Sequence, residues 1–135
     1  MGDYWNHWLR MGRKLGDKAP AIFQVNWFRR DKNGSFLWPG FGENIRAPDW
    51  VIRQIKGEVE TVGTPIGLPP KTEDINVEGI DVSPETLEKI FAVPVDGWLQ
   101  ELDVTEDYFN SIGDRVPAAL YSQLAAVREG FDDIR

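Results

Sequence analysis

Over the first fifteen residues the large apolar side chains fall at Tyr4, Trp5, Trp8, Leu9, Met11 and Leu15. That spacing is close to helical, with Asp3 placed as the N-cap and Gly16 then Pro20 ending the helix. The period then changes. "AIFQVNWF", Ala21 to Phe28, is rich in aromatic and β-branched residues and reads as a strand, and "SFLW", Ser35 to Trp38, reads as a second. Between them lies Asn33-Gly34, a strong turn signal because both residues accept positive φ. Helical spacing returns in "PDWVIRQIKG", where a short helix is expected to begin at Pro48, with Trp50, Val51, Ile52 and Ile55 inward and Gly57 at its stop. Residues 58–79 carry three Pro and three Gly, so they read mostly as loop with room for one or two short strands. Ser83 as N-cap and Pro84 at the first helical position open another helix. Two further helical stretches are expected, around Trp98 to Ile112 and from Pro117 to Phe131, the second with Leu120, Leu124, Val127 and Phe131 on one face.

Together these elements predict an α+β chain: a small antiparallel β-hairpin or sheet flanked by helices, with a helical C-terminal half. A length of 135 residues suits one domain, residues 1–135, in which the hairpin and its following loop occupy 21–44 and the helical part 83–131. With 41% hydrophobic and 27% charged residues the composition is that of a globular protein. No apolar run approaches the roughly 20 residues a membrane span needs, and no charged segment followed by an apolar stretch opens the chain. The expectation is a cytoplasmic location with no membrane partner.

Several kinds of chemistry are excluded by what is missing. With no Cys there is no disulfide, thiolate nucleophile or Cys-ligated metal. A net charge of -7 disfavours nucleic acid as a partner, because that binding rests on clustered Lys and Arg. Two local basic groups, Arg10, Arg13, Lys14 and Lys18, then Arg29, Arg30 and Lys32, read as a solvated helix face and a solvated turn. No G-x-x-x-x-G-K-[ST] phosphate loop is present, and "GFGENI" lacks the third Gly of a dinucleotide fingerprint. The single His, His7, sits among bulky aromatics in the first helix and reads as structural. The adjacent acids Glu73-Asp74, Glu106-Asp107 and Asp132-Asp133 read as solvated pairs. No catalytic residue and no metal-ligand set is therefore expected within this chain.

One stretch stands out. "NWFRRDKNGSFLWPGFGEN", Asn26 to Asn44, packs two Trp, three Phe and four Gly or Pro into a turn-punctuated segment. If Lys32-Asn33-Gly34 forms a three-residue loop with a glycine bulge, Arg30 pairs with Phe36, and Phe28 and Phe36 share a face; a two-residue turn puts them on opposite faces. Gly40 and Gly42 flank Phe41 and allow backbone to approach a ligand closely. Asn44 adds a donor and an acceptor on one planar amide. Two readings stand side by side. Trp27, Phe28, Phe36, Trp38 and Phe41 are simply core, or the Phe faces form a slot that stacks on a purine while the amide selects the base through its polar edge.

The stretch "VNWFRRDKNGSFLWPGFGENIR" closely resembles the nucleotide-base segment of the GTP-dependent phosphoenolpyruvate carboxykinases, and the likeness extends to "DYWNHWL", "LGDKAPAIFQV", "TPIGLPP" and the helical tail. The resemblance implies that the chain is part of a larger carboxykinase nucleotide-binding domain whose ligand is GTP or GDP and whose partner is the remaining part of the carboxykinase chain. It implies that the guanine base lies among Phe28, Phe36 and Phe41 and is read by Asn44, with Gly42 and Glu43 in the same loop. It further implies a parent reaction of gluconeogenesis, in which oxaloacetate is decarboxylated and phosphorylated by GTP to give phosphoenolpyruvate, carbon dioxide and GDP with Mn²⁺ and Mg²⁺. The family's phosphate loop, manganese ligands and substrate-gripping arginines lie upstream of the matched region. The metal ions are accordingly expected to belong to the parent enzyme and not to be bound by this chain, which alone is expected not to catalyse. At Ile45 to Asp49 the sequence departs from the family pattern. The alternative expectation is a non-catalytic protein-interaction module derived from that enzyme, presenting part of its aromatic surface, which includes six Trp, to another protein.

Overall fold

A computed structural model describes residues 1–135 and is built from five α-helices: α1 Gly2–Leu15, α2 Arg46–Ile55, α3 Pro84–Phe91, α4 Val95–Ile112 and α5 Ala118–Asp132. Short 3₁₀ turns lie at Gly16–Lys18, Phe41–Glu43, Thr72–Asp74 and Gly113–Arg115. The expected antiparallel hairpin or sheet is absent. Only isolated bridges occur, Arg30 with Phe36, Thr61 with Pro70 and Thr64 with Gly67. A β-branched and aromatic run favours a pleated, half-buried surface only where a neighbouring strand takes its backbone hydrogen bonds. Ala21 to Val25 finds no such neighbour, and a two-stranded pairing without a third strand is marginal in water. The helical C-terminal half follows the apolar spacing.

The chain divides into two compact units, 1–20 with 93–135 and 21–92. In the first, α4 and α5 pack around Leu102, Leu124 and the fully buried Phe131, on which Trp98 stacks with ring centroids 6.5 Å apart. α1 presents Trp5 edge-on to Tyr108 and Phe109. It begins at Gly2, so Asp3 stands inside the first turn, where its charge suits the helix N-terminus, and is not the N-cap expected of it. Gly2 is required by packing: a Cβ there would stand 2.0 Å from the Arg115 carbonyl oxygen.

The second unit closes on Trp50, Ile75, Val82 and Leu87, with Phe23, Trp38 and Phe91 among the side chains packed against them. α2 starts at Arg46, two residues before the expected Pro48, which lies in the first turn, where a missing N–H has no helical partner to lose. The inward stripe of α2 runs through Arg46, Ala47, Trp50, Val51 and Gln54. Ile52 and Ile55, expected inward, lie off that stripe and are exposed. Ser83 caps α3 as expected, its hydroxyl accepting from the Thr86 N–H at 3.2 Å, with Pro84 first in the helix. At the other end of α3, Arg29 donates to the carbonyls of Ile90 and Ala92 at 2.9 and 2.8 Å. A guanidinium on the orphan carbonyls of a helix C-terminus ties the aromatic segment to the core of its unit.

Candidate functional site

The turn within the aromatic segment is set by Asp31. Its carboxylate accepts from the backbone N–H groups of Asn33 at 2.8 Å and Ser35 at 2.9 Å, an Asx-type arrangement. The Asp31 N–H donates to the Ser35 carbonyl at 2.9 Å, the Leu37 N–H to the Arg29 carbonyl at 2.9 Å, and Gly34 takes φ 83°. This is the register of the three-residue loop, with Arg30 bridged to Phe36. It brings Phe28 and Phe36 together, ring centroids 6.1 Å apart at 62°. Both rings remain open to solvent, 72% and 50% exposed. The Arg30 guanidinium lies 3.9 Å above the Phe36 ring while donating to the Gly34 carbonyl at 2.7 Å. The basic group expected to be merely solvated is therefore in part structural: Arg29 caps α3 and Arg30 stacks on Phe36.

Beyond Trp38 the chain turns through Pro39 and Gly40, whose φ of 122° is open to glycine and costly to other residues. The 3₁₀ turn Phe41–Glu43 then delivers Asn44 to the start of α2. The Asn44 side-chain oxygen accepts from the Trp38 indole N–H at 3.0 Å, and Trp38 in turn leans on Trp27 with centroids 6.2 Å apart. The Glu43 carboxylate pairs with the Arg46 Nε at 2.8 Å. Arg46, its side chain only 17% exposed, also donates to the carbonyls of Asn76 at 2.8 Å and Glu78 at 2.9 Å. One fork-shaped cation thus fastens the loop to residues 76–78. A Cβ at Gly42 would meet nothing within 4 Å, so no protein atom demands glycine there.

Of the six residues singled out from sequence, Phe28 and Phe36 touch, while Glu43 and Asn44 are each held in place by a named partner. Phe41 is 93% exposed and pairs with no other ring. Three contributors escaped the sequence reading: Trp38, which orients the Asn44 amide, Arg30 over Phe36, and Arg46 as the fastener. The signal for Trp38 is slight, an indole six residues before an amide across a Pro-Gly turn. Two surface depressions of the second unit, about 370 and 320 Å³, lie elsewhere, around Glu58 to Glu60 with Lys71 to Asp74 and around Val62 to Pro70 with Phe91. The aromatic site is an exposed surface, and both depressions are shallow and open. In the first of them Lys71 and Glu60 pair at 2.5 Å, the hydrogen bond and charge of each holding the Glu60 carboxyl below and the Lys71 ammonium above its ordinary range. No group of three or more His, Cys, Asp or Glu stands close enough together to hold a metal ion. No helix is long and apolar enough to cross a membrane.

Residues 1–130 match the family described as the phosphoenolpyruvate carboxykinase C-terminal P-loop domain. The chain is 42% identical over 123 residues to a protein of Corynebacterium kroppenstedtii named phosphoenolpyruvate carboxykinase [GTP], a match covering 91% of this chain and 20% of that protein. It is 42% identical over 127 residues to the protein of that name from Corynebacterium glutamicum, covering 94% and 21%. To the protein of that name from Chlamydia abortus it is 40% identical over 126 residues, covering 92% and 21%. The chain thus spans about one fifth of the length of the curated relatives it matches.

Proposed function

The chain belongs to the phosphoenolpyruvate carboxykinase C-terminal P-loop domain family, and on that footing we propose that it is the guanine-base-binding portion of a GTP-dependent carboxykinase. Phe28, Phe36 and Phe41 are the stacking faces, Asn44 reads the base edge, and Gly42 and Glu43 shape the loop between them. The observation that carries the reading is an exposed pair of Phe rings followed by a carboxamide held rigid by an indole donor. A stacked base contributes about 1–3 kcal/mol whatever its identity. The amide supplies the choice, because a base with the wrong donor and acceptor order leaves polar groups unpaired. The open space at Gly42 leaves room for a base to lie against the backbone.

In the parent reaction this piece would hold GTP by its base while the phosphates, the metal ions and oxaloacetate are handled by residues outside it. Phosphoryl transfer depends on positioning and on charge near the transferred group, and this chain carries neither a phosphate loop motif nor a fitting metal cluster. Its own contribution is therefore binding and selection, with no turnover. A second reading, contact with protein, is favoured by the exposed Ile22, Phe28, Phe41 and Ile45, which gather apolar surface on the same segment.

Titration of GTP, and separately ATP, into the ¹⁵N-labelled chain tests the first reading. Saturable shifts at the Asn44 side-chain amide and at the backbone amides of Phe28, Phe36 and Gly40 to Asn44, for GTP alone and in the millimolar range, are the expected result; that range corresponds to about -4 kcal/mol. The absence of any shift at several millimolar GTP would leave the protein-contact reading in its place.

A further inference from the structure

The indole of Trp38 has one polar atom, and it can only donate. Because that N–H lies 3.0 Å from the Asn44 side chain, the atom facing it must be the carboxamide oxygen, and the amino group faces the other way. An amide is otherwise free to turn over by half a rotation about its last side-chain bond, exchanging donor for acceptor. The exchange matters for a purine edge. Guanine presents a carbonyl acceptor beside a ring N–H donor, whereas adenine presents an amino donor beside a ring nitrogen acceptor. One carboxamide can pair with either base through two hydrogen bonds, and for a base held in one pose by its stack and its sugar the orientation of the amide decides which.

We propose that Trp38 is a specificity-determining positioning residue: its indole N–H locks the Asn44 amide in the orientation that pairs with a 6-oxopurine and prevents the turned-over orientation that would accept a 6-aminopurine. The inference rests on the base-binding reading above and adds to it the group that makes the amide selective. Trp38 need not touch the nucleotide. It acts through Asn44, and its own place is fixed by the core of its unit and by Trp27. The oxygen keeps a second lone pair, so the bond to Trp38 leaves it able to accept from the base as well.

The test compares the GTP to ATP affinity ratio, read from amide shifts in the ¹⁵N-labelled 135-residue chain, between the unaltered protein and two variants. Trp38→Phe removes the donor but also trims packing in the core. Replacement of Trp38 by 3-benzothienylalanine keeps the bicyclic shape and puts sulfur where the N–H was. One lost hydrogen bond corresponds to about a fivefold change in an equilibrium, so the benzothienyl protein is expected to lose about fivefold in its preference for GTP, chiefly by binding ATP more tightly. A merely structural role would weaken both nucleotides together and leave the ratio unchanged, and that result in the benzothienyl protein overturns the proposal whatever Trp38→Phe does. If the unaltered chain binds GTP and ATP equally, both this proposal and the base-reading role of Asn44 fail. If it prefers GTP and the benzothienyl protein does too, undiminished, only the role of Trp38 fails.

Discussion

A methyl group at position 2 would meet the Arg115 carbonyl oxygen at 2.0 Å, and neither partner is a flexible side chain that could swing away. Alanine is the better helix former by up to about 1 kcal/mol, yet overpacking against backbone costs about 1–3 kcal/mol, so the clash wins. Gly2→Ala is expected to lower stability by about 1–2 kcal/mol in urea denaturation. Gly12, in the middle of the same helix, has nothing within 4 Å of its would-be Cβ. Gly12→Ala is expected to raise stability by about 0.5–1 kcal/mol, and equal signs for the two substitutions would contradict the packing described. A second contrast concerns charge. The Glu60 carboxyl is held low and the Lys71 ammonium high by one another. The stabilisation from Glu60 is present above its unfolded pKa and lost as pH falls through its depressed folded value; that from Lys71 is present below its unfolded pKa and lost as pH rises through its raised folded value. The pair therefore acts between the acid and alkaline limits and fails at both. Both groups are exposed, so its effect on stability is small. In Lys71→Met the Glu60 carboxyl is expected to titrate closer to an ordinary glutamate, read by carboxyl ¹³C shifts against pH.

The elements were legible where local rules settle them. Ser83 and Pro84 announce the start of α3 by capping chemistry, and Leu120, Leu124, Val127 and Phe131 announce α5 by their spacing. Ala21 to Val25 misleads, because its strand-forming side chains express a need for a neighbour that the chain does not provide. Ile52 and Ile55 mislead in a related way: a ten-residue helix buries one stripe, and which stripe depends on where the loop before it delivers the first turn. The register of the Asp31 to Ser35 turn could be narrowed to two alternatives and no further, since the Asx bonds that choose between them depend on a single side-chain rotamer. Arg46 was the least legible contributor. It looks like a surface cation, but its side chain holds Glu43, Asn76 and Glu78 together. Lysine can keep the charge but not the fork. Arg46→Lys is expected to cost about 1–2 kcal/mol and to speed amide exchange at Phe41 to Asn44, with α3 unaffected. Unchanged exchange at those amides would mean that the 3₁₀ turn holds its shape without the fastener.

Over the whole molecule the net charge of -7 bears directly on how the proposed site recognises its ligand. A triphosphate brings several negative charges toward a chain whose net charge is itself negative. The nearest cations are in part committed, Arg29 to the end of α3 and Arg30 to the Phe36 ring. With stacking and one amide as the attractive elements, the phosphates add repulsion, and salt screens repulsion between exposed charges over roughly 10 Å at 0.1 M. Two consequences separate base recognition from phosphate recognition. Guanosine monophosphate is expected to bind this chain at least as tightly as GTP, and the affinity for GTP is expected to hold or rise slightly as salt increases. A site that gripped phosphate would give the reverse on both counts, GTP stronger than the monophosphate and steadily weaker with salt. Calorimetric or shift titrations of the two nucleotides at low and high sodium chloride decide it. If GTP binds more tightly and weakens with salt, the attraction comes from Arg30 and Lys32 acting on phosphate, and the Phe28 and Phe36 rings are not the principal contact.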